Sequence, residues 1–220
     1  MIETERLILR PWREDDIPPF AEMNSDEEVM EYLPKCLSLE ETVQFYNRIV
    51  AEHSTFGYGL YAVETKSDGS FIGYVGFHHF DFEEEFSPGV EIGWRLAGKH
   101  WNKGYATEAA KACIDYARRH RLFNEIYSFT TVCNSRSERV MQKIGMNQVG
   151  FFSHPSLPRG HRLKPHVLYK LELCPTYQLK AELYPPEQKK ELIERLTVTA
   201  SEITHIPEQF FYCYHQGSAG

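Results

Sequence analysis

Apolar and polar positions alternate through "RLILRPW", Arg6 to Trp12, as in a half-buried strand, and "REDDIPPFAEMN" then sets acids ahead of an apolar run, as at a helix start. In "SLEETVQFYNRIVAEH", Ser38 and Glu41 have the spacing of a capping box, while Val43, Tyr46, Ile49 and Val50 keep helical period. The runs "YGLYAVE" and "SFIGYVGFHHF" are aromatic and β-branched, and Asp68-Gly69 between them supplies the positive φ of a hairpin. "GVEIGWRL", beyond the acidic loop "DFEEEFSPG", predicts another strand beside that hairpin. The helix "TEAAKACIDYARRH" carries Tyr105, Ala109, Ala112, Cys113, Tyr116 and Ala117 on one stripe, with Arg118, Arg119 and His120 complementing the dipole at its end. "EIYSFTTVC" is strand-like, "NSRSERVMQKIG" is a short helix begun near Asn134 and stopped at Gly145, and "MNQVGFF" and "HVLYKLEL" finish as strands. An early antiparallel hairpin followed by a strand-helix-strand unit predicts an α+β domain over residues 1–173.

The chain of 220 residues is 42% hydrophobic, enough to bury a core in one domain with an appendage. Its longest apolar runs fall far short of a bilayer span, and the N-terminal stretch has neither a signal peptide's apolar region nor a transit peptide's lack of acids. The expectation is a cytoplasmic protein with no membrane partner. Cys36, Cys113, Cys133, Cys174 and Cys213 are scattered without a C-x-x-C pair, so buried, reduced thiols are expected rather than a disulfide framework or zinc ribbon. A net charge of -7 argues against nucleic acid as the main partner and suits a cationic or amine-bearing substrate.

One loop changes the picture. "WNKGYATE" lies between a strand and a helix, so its backbone N–H groups and the helix dipole converge on an anion site. The P-loop signature and G-x-G-x-x-G are both absent. Taken alone, a single glycine before a helix is equally a plain structural turn.

Three segments resemble the GNAT acetyltransferase superfamily, in particular its ribosomal-protein N-acetyltransferase-like branch. "TERLILRP" is similar to that branch's first strand, "VEIGWRL" and "GYATEA" to its cofactor-binding strand, loop and helix, and "NSRSERVMQKIGM" to its later N-x-x-S-x-R-V-x-x-K-x-G segment. The resemblance spans residues 2–173 and implies a mixed central sheet with flanking helices. It implies acetyl-CoA as cosubstrate, with the pyrophosphate on the amides of Lys103, Gly104, Tyr105, Ala106 and Thr107. The backbone around Ile92 and Leu96 would polarise the thioester carbonyl and pair with pantetheine, and Asn134 would contact the pantetheine arm while capping its helix. Trp101 stands where many members have Gln or Arg, which implies an altered rim around a retained site.

The resemblance also implies direct transfer to an amine, without an acyl-enzyme. Glu91 is the candidate base; a hydrogen-bonded strand carboxylate is the structural alternative. The tyrosine that protonates the leaving thiolate in many members is replaced by Met141, leaving Ser137 as the hydroxyl of the segment. His78 and His79 end a strand near the acceptor side and are alternative bases. His154, His161 and His166 lack any metal-binding motif, so no metal is expected. "DFEEEF", Asp81 to Phe86, is a solvated hairpin unless it steers a cationic amine inward.

The tail, residues 174–220, has the pattern of a βαβ extension. It resembles the start of an oxalocrotonate-type tautomerase, but Pro175 is joined to Cys174, so its nitrogen is an amide and not a base. An appended unit for packing or homo-oligomerisation is expected. The acceptor would be a protein N-terminus, a polyamine or a small amine. The alternatives are an acetyl-CoA-binding module without transfer, and a tautomerase if cleavage frees Pro175.

Overall fold

The computed structural model describes residues 1–173; the expectations for the tail, Pro175 included, lie outside the described residues. Two short strands, β1 (Ile2–Glu3) and β2 (Leu7–Arg10), lead to α1 (Ile17–Ser25) and α2 (Leu39–Phe56). Then come β3 (Leu60–Thr65), β4 (Phe71–Phe80) and β5 (Gly89–Leu96), followed by α3 (Tyr105–His120), β6 (Glu125–Thr131), α4 (Ser135–Lys143), β7 (Asn147–Ser153) and β8 (Pro165–Glu172). The eight strands form one sheet in the order β1-β2-β3-β4-β5-β6-β8-β7. Every pairing is antiparallel except β5 with β6, because α3 carries the chain over the sheet between them.

Local chemistry explains most of the boundaries. Ser38 Oγ accepts the Glu41 N–H at 3.2 Å and Glu41 returns a bond to the Ser38 N–H at 2.9 Å, so the capping box starts α2. The helix ends at Gly57, left-handed with φ of 73°. β2 is shorter than the alternation through Trp12 predicts. Pro11 offers no N–H to a ladder, and Trp12 turns away to pack on Phe20, Phe71 and Tyr74 while its Nε1–H donates to the Leu60 carbonyl at 2.8 Å.

Residues on alternate faces of the sheet feed different cores. Val75, Phe77, Ile92 and Leu96 pack with Ala109, Cys113 and Ala117 of α3. On the other face Leu60 and Tyr74 meet Phe20, Met23 and Ile49 of α1 and α2. Arg10, only 5% exposed, is neutralised by two 2.8 Å bonds to Asp16 and one of 2.7 Å to Glu64, which tie β2 to the chain entering α1 and to β3. The same face carries Glu91, His78 and Arg95, so the packing of α1 and α2 decides what surrounds them.

Candidate active site

Although β5 and β6 each run on for several residues, they are paired only at Glu91 and Tyr127. Beyond that point the strands diverge and leave a gap. The Ala97 N–H donates to Ile72 at 3.0 Å, toward β4. By strand alternation the amides of Ile92, Trp94 and Leu96 therefore face β6; the Glu91–Tyr127 bridge takes that of Ile92, and those of Trp94 and Leu96 are left on the gap, where the Leu96 carbonyl accepts the Trp101 Nε1–H at 2.7 Å. Of the two residues expected here from the sequence, Leu96 lies on this open edge and lines the cavity, while Ile92 is buried in the sheet and does not; Trp94 joins Leu96 on the same edge, and the period of two along a strand is the signal that finds it. The gap belongs to a cavity of about 590 Å³ lined on one side by Gly93, Trp94 and Leu96 and on the other by Ser128, Phe129 and Thr130.

At one end of the cavity lies the predicted anion loop. Gly104 has φ of 82° and caps α3, whose first internal bond runs from the Glu108 N–H to the Gly104 carbonyl at 3.0 Å. The N–H groups of Tyr105, Ala106 and Thr107 thus have no intrahelical acceptor, and all three residues line the cavity with Gly104. Lys103 does not line it; its carbonyl accepts from Arg6 Nη1 at 2.9 Å. α3 starts at Tyr105, ahead of the "TEAAK" run, because Gly104 supplies the turn.

A clamp that the sequence did not disclose holds this loop. Glu108 accepts from Thr4 Oγ1 at 2.6 Å, from the Arg6 N–H at 3.0 Å and from Arg6 Nε at 2.7 Å. The Arg6 guanidinium also covers the Tyr105 ring at 4.7 Å. An acid in the first turn of α3 would repel an anion, and Arg6 offsets that charge while fixing the turn.

The opposite wall is α4. Asn134 Oδ1 accepts the Ser137 N–H at 3.1 Å, and Asn134 Nδ2 donates to Thr130 Oγ1 at 3.0 Å. The capping role is thus filled, and one Nδ2 hydrogen is left over for a ligand. Asn134, Ser137 and Met141 all line the cavity, together with the cations Arg136, Arg139 and Lys143. The Arg136 guanidinium lies 4.6 Å over Trp101 and pairs with Glu28 at 3.8 Å and Glu31 at 3.5 Å, so it straps α4 to the loop after α1. Trp101, the departure noted in the sequence, is thus held under Arg136 at the cavity wall.

Glu91 stands where the strands part. No hydrogen bond reaches its carboxylate among the described residues, and burial pushes its pKa up to about 7, against an opposing pull from His78. Gly93 keeps space open beside it: a Cβ there would lie 3.8 Å from Glu91 Oε1. His78 lines the same cavity, whereas His79 meets the Tyr58 hydroxyl. His154 and His166 line it farther along with their rings 4.9 Å apart; burial, then His166 and Lys164, push His154 down to about 4. Phe82 and Phe86 of the acidic hairpin join Phe80, Phe129 and Phe152 in an aromatic cluster, and none of Asp81, Glu83, Glu84 or Glu85 lines the cavity. Of the described cysteines, Cys36, Cys113 and Cys133 are free thiols; Cys113 is buried, which raises its pKa, but Cys133 is exposed, against the expectation of burial.

This fold and site define an acyl-transfer domain. The Acetyltransferase (GNAT) domain family matches residues 6–147, and the chain belongs to it. An uncharacterized N-acetyltransferase, YnaD, of Bacillus subtilis is 32% identical over 171 residues, covering 77% of this chain and 95% of that protein. A GNAT-family acetyltransferase structure from Bacillus anthracis superposes with a TM-score of 0.66 at 31% identity, over 78% of this chain and 98% of that one. A spermidine N-acetyltransferase from Vibrio cholerae, in complex with CoA and spermine, shares the fold with a TM-score of 0.62 at 19% identity, over 77% and 97% of the two chains. The protein is therefore a GNAT-family N-acetyltransferase that uses acetyl-CoA. Among the described residues no helix is long and apolar enough to cross a membrane.

Proposed function

We propose that the gap between β5 and β6 takes the pantetheine arm of acetyl-CoA and that Glu91 is the base for the incoming amine. The observation that carries this is the place of Glu91: an unpaired carboxylate with a pKa near 7, in the cavity wall where the strands separate. The amides of Gly104, Tyr105, Ala106 and Thr107 serve the diphosphate, with Lys103 contributing only at the edge of the loop. Those of Trp94 and Leu96 serve the pantetheine amides and the thioester carbonyl, while the Ile92 amide stays in the bridge to β6. Asn134 offers its free amide hydrogen to the arm. Ser137, in the first turn of α4, supplies a proton to the departing thiolate in place of Met141, which is 1% exposed and carries none.

The acceptor is a primary amine: a protein N-terminus, a polyamine or a small molecule. Its approach is set by Tyr74, Phe129, Leu33 and Leu163, apolar surface around one carboxylate, which fits an ammonium group on a partly apolar carrier. Calorimetric titration with acetyl-CoA tests the cofactor site. Saturable binding by the wild type and its loss in Gly104→Val are expected, because a β-branched residue at φ of 82° is strained and its Cβ would approach Arg6 Nη2 at 3.4 Å. Release of CoA that depends on an added amine then tests transfer. Binding without turnover across a broad amine panel would leave an acetyl-CoA-binding module.

A further inference from the structure

Acetylation of an ammonium group yields amide, CoA thiol and one proton. If Glu91 takes that proton, it must pass it on before the next turnover. Glu91 lies in the wall of a cavity whose occupant will cover it, so the route to water matters. The residue directly opposite it across the β4–β5 ladder is His78. In such a pair the two side chains share a face with Cβ atoms about 5 Å apart.

His78 is held from the other side. Its Nδ1 is 3.0 Å from Glu52 Oε2 on α2, and Glu52 Oε1 accepts the His79 N–H at 2.8 Å. A carboxylate of an ionised Glu52 can only accept, so Nδ1 carries the hydrogen and Nε2 is the nitrogen free to exchange a proton. His78 lines the main cavity and also a second one of about 170 Å³, walled by Phe45, Arg48, Ile49 and Glu52. Its side chain is 49% exposed, while that of Glu52 is 15% exposed. The imidazole therefore spans the distance between a shielded carboxylate and solvent.

We propose that His78 is the relay that returns the proton of Glu91 to water, with Glu52 as the positioning residue that orients it; this rests on Glu91 being the base. The Glu91 carboxylate accepts one proton from the ammonium group, and the free amine attacks the thioester carbonyl. As the C–S bond breaks, the second amine proton ends on the CoA thiolate. Protonated Glu91 then gives its proton to His78 Nε2, and the imidazolium loses it to solvent while Nδ1–H stays on Glu52. The charged groups facing His78 are Glu52 and Arg48 from α2 and Glu91 from β5. Glu52 and Glu91 raise its pKa, and burial and Arg48 oppose them. Tyr74 and Arg95 lie on the same face near Glu91.

Two readouts test the relay. In NMR titration of the side chain, His78 is expected to titrate above an ordinary imidazole, and lower in both Glu52→Gln and Glu91→Gln. An unchanged His78 titration in Glu91→Gln overturns the coupling, whatever the acceptor. In steady-state kinetics with an amine the wild type accepts, His78→Gln should lower kcat roughly tenfold with KM nearly unchanged. Added imidazole should restore the rate through the small cavity. A His78→Gln enzyme with wild-type kcat overturns the relay. By contrast, a wild type with no amine-dependent CoA release sinks the proposed transfer at this site, and the NMR result still decides whether the two groups are linked.

Discussion

At the scale of single residues, Glu91 shows how a site can cost stability. Its folded pKa, near 7, lies above that of an unfolded glutamate, so folding favours the protonated form. The stabilisation this provides is complete below the unfolded value and is lost as pH rises through about 7. Glu91→Gln should therefore be more stable than wild type at pH 8 by about 1–2 kcal/mol, less than the full shift implies because the cavity is open to water. At pH 4 the two should be alike; chemical denaturation at both values checks this. Activity runs the other way. With Glu91 as the proposed base, wild-type kcat/KM should climb as pH passes about 7 and its carboxyl ionises, and Glu91→Gln should lose that limb with a deficit of roughly a hundredfold or more. Ser137→Ala should cost less than about tenfold, since a thiolate needs little help to leave. The position of Glu91 just before "IGW" was legible in the sequence. Its raised pKa was not, because that comes from burial, which depends on which side chains α1 and α2 bring over the strand.

At the scale of elements, most of the chain announced itself locally. The capping box of α2, the Asp68-Gly69 hairpin and the stripe of α3 each depend on residues a few positions apart, and each appears in the structure. The strand limits failed where one residue's chemistry intervened, as with Pro11 ending β2. The clamp on the anion loop escaped because its partners stand 102 residues apart in sequence, and neither "TERL" nor "ATEA" names the other. Its weight can be measured. Glu108→Gln keeps the shape but removes the charge facing Arg6, so it should destabilise the fold by about 1–2 kcal/mol and weaken acetyl-CoA binding by loosening the turn. Asp16→Ala is the stricter test of the β2–α1 junction: it strands Arg10 in the interior with one carboxylate instead of two, and a loss of about 3 kcal/mol is expected. Denaturant midpoints compared at constant slope separate these effects from partial unfolding.

At the scale of the molecule, the sheet is nearly divided where the proposed cofactor site lies. β1 to β5 form one antiparallel block and β6 to β8 another, and the ladder between them narrows to one pair at Glu91 and Tyr127. The crossover helix α3 and its core hold the blocks together from one face, and on the rim Arg136 straps α4 to Glu28, Glu31 and Trp101. A ligand seated in the gap replaces missing strand pairing, so acetyl-CoA at a hundred times its Kd should raise Tm by about 5–10 °C, since about 2.7 kcal/mol of linkage acts on a domain of this size. The strap separates two explanations of that shift. Its ion pairs are exposed, so Arg136→Ala should move the Tm of the free protein by less than about 2 °C. If Arg136 closes over bound cofactor, the same variant should lose a clear part of the acetyl-CoA shift and release the ligand faster. An undiminished shift would mean that the loop amides and the open edge of β5 hold the cofactor alone, leaving Trp101 and Arg136 as packing at the mouth.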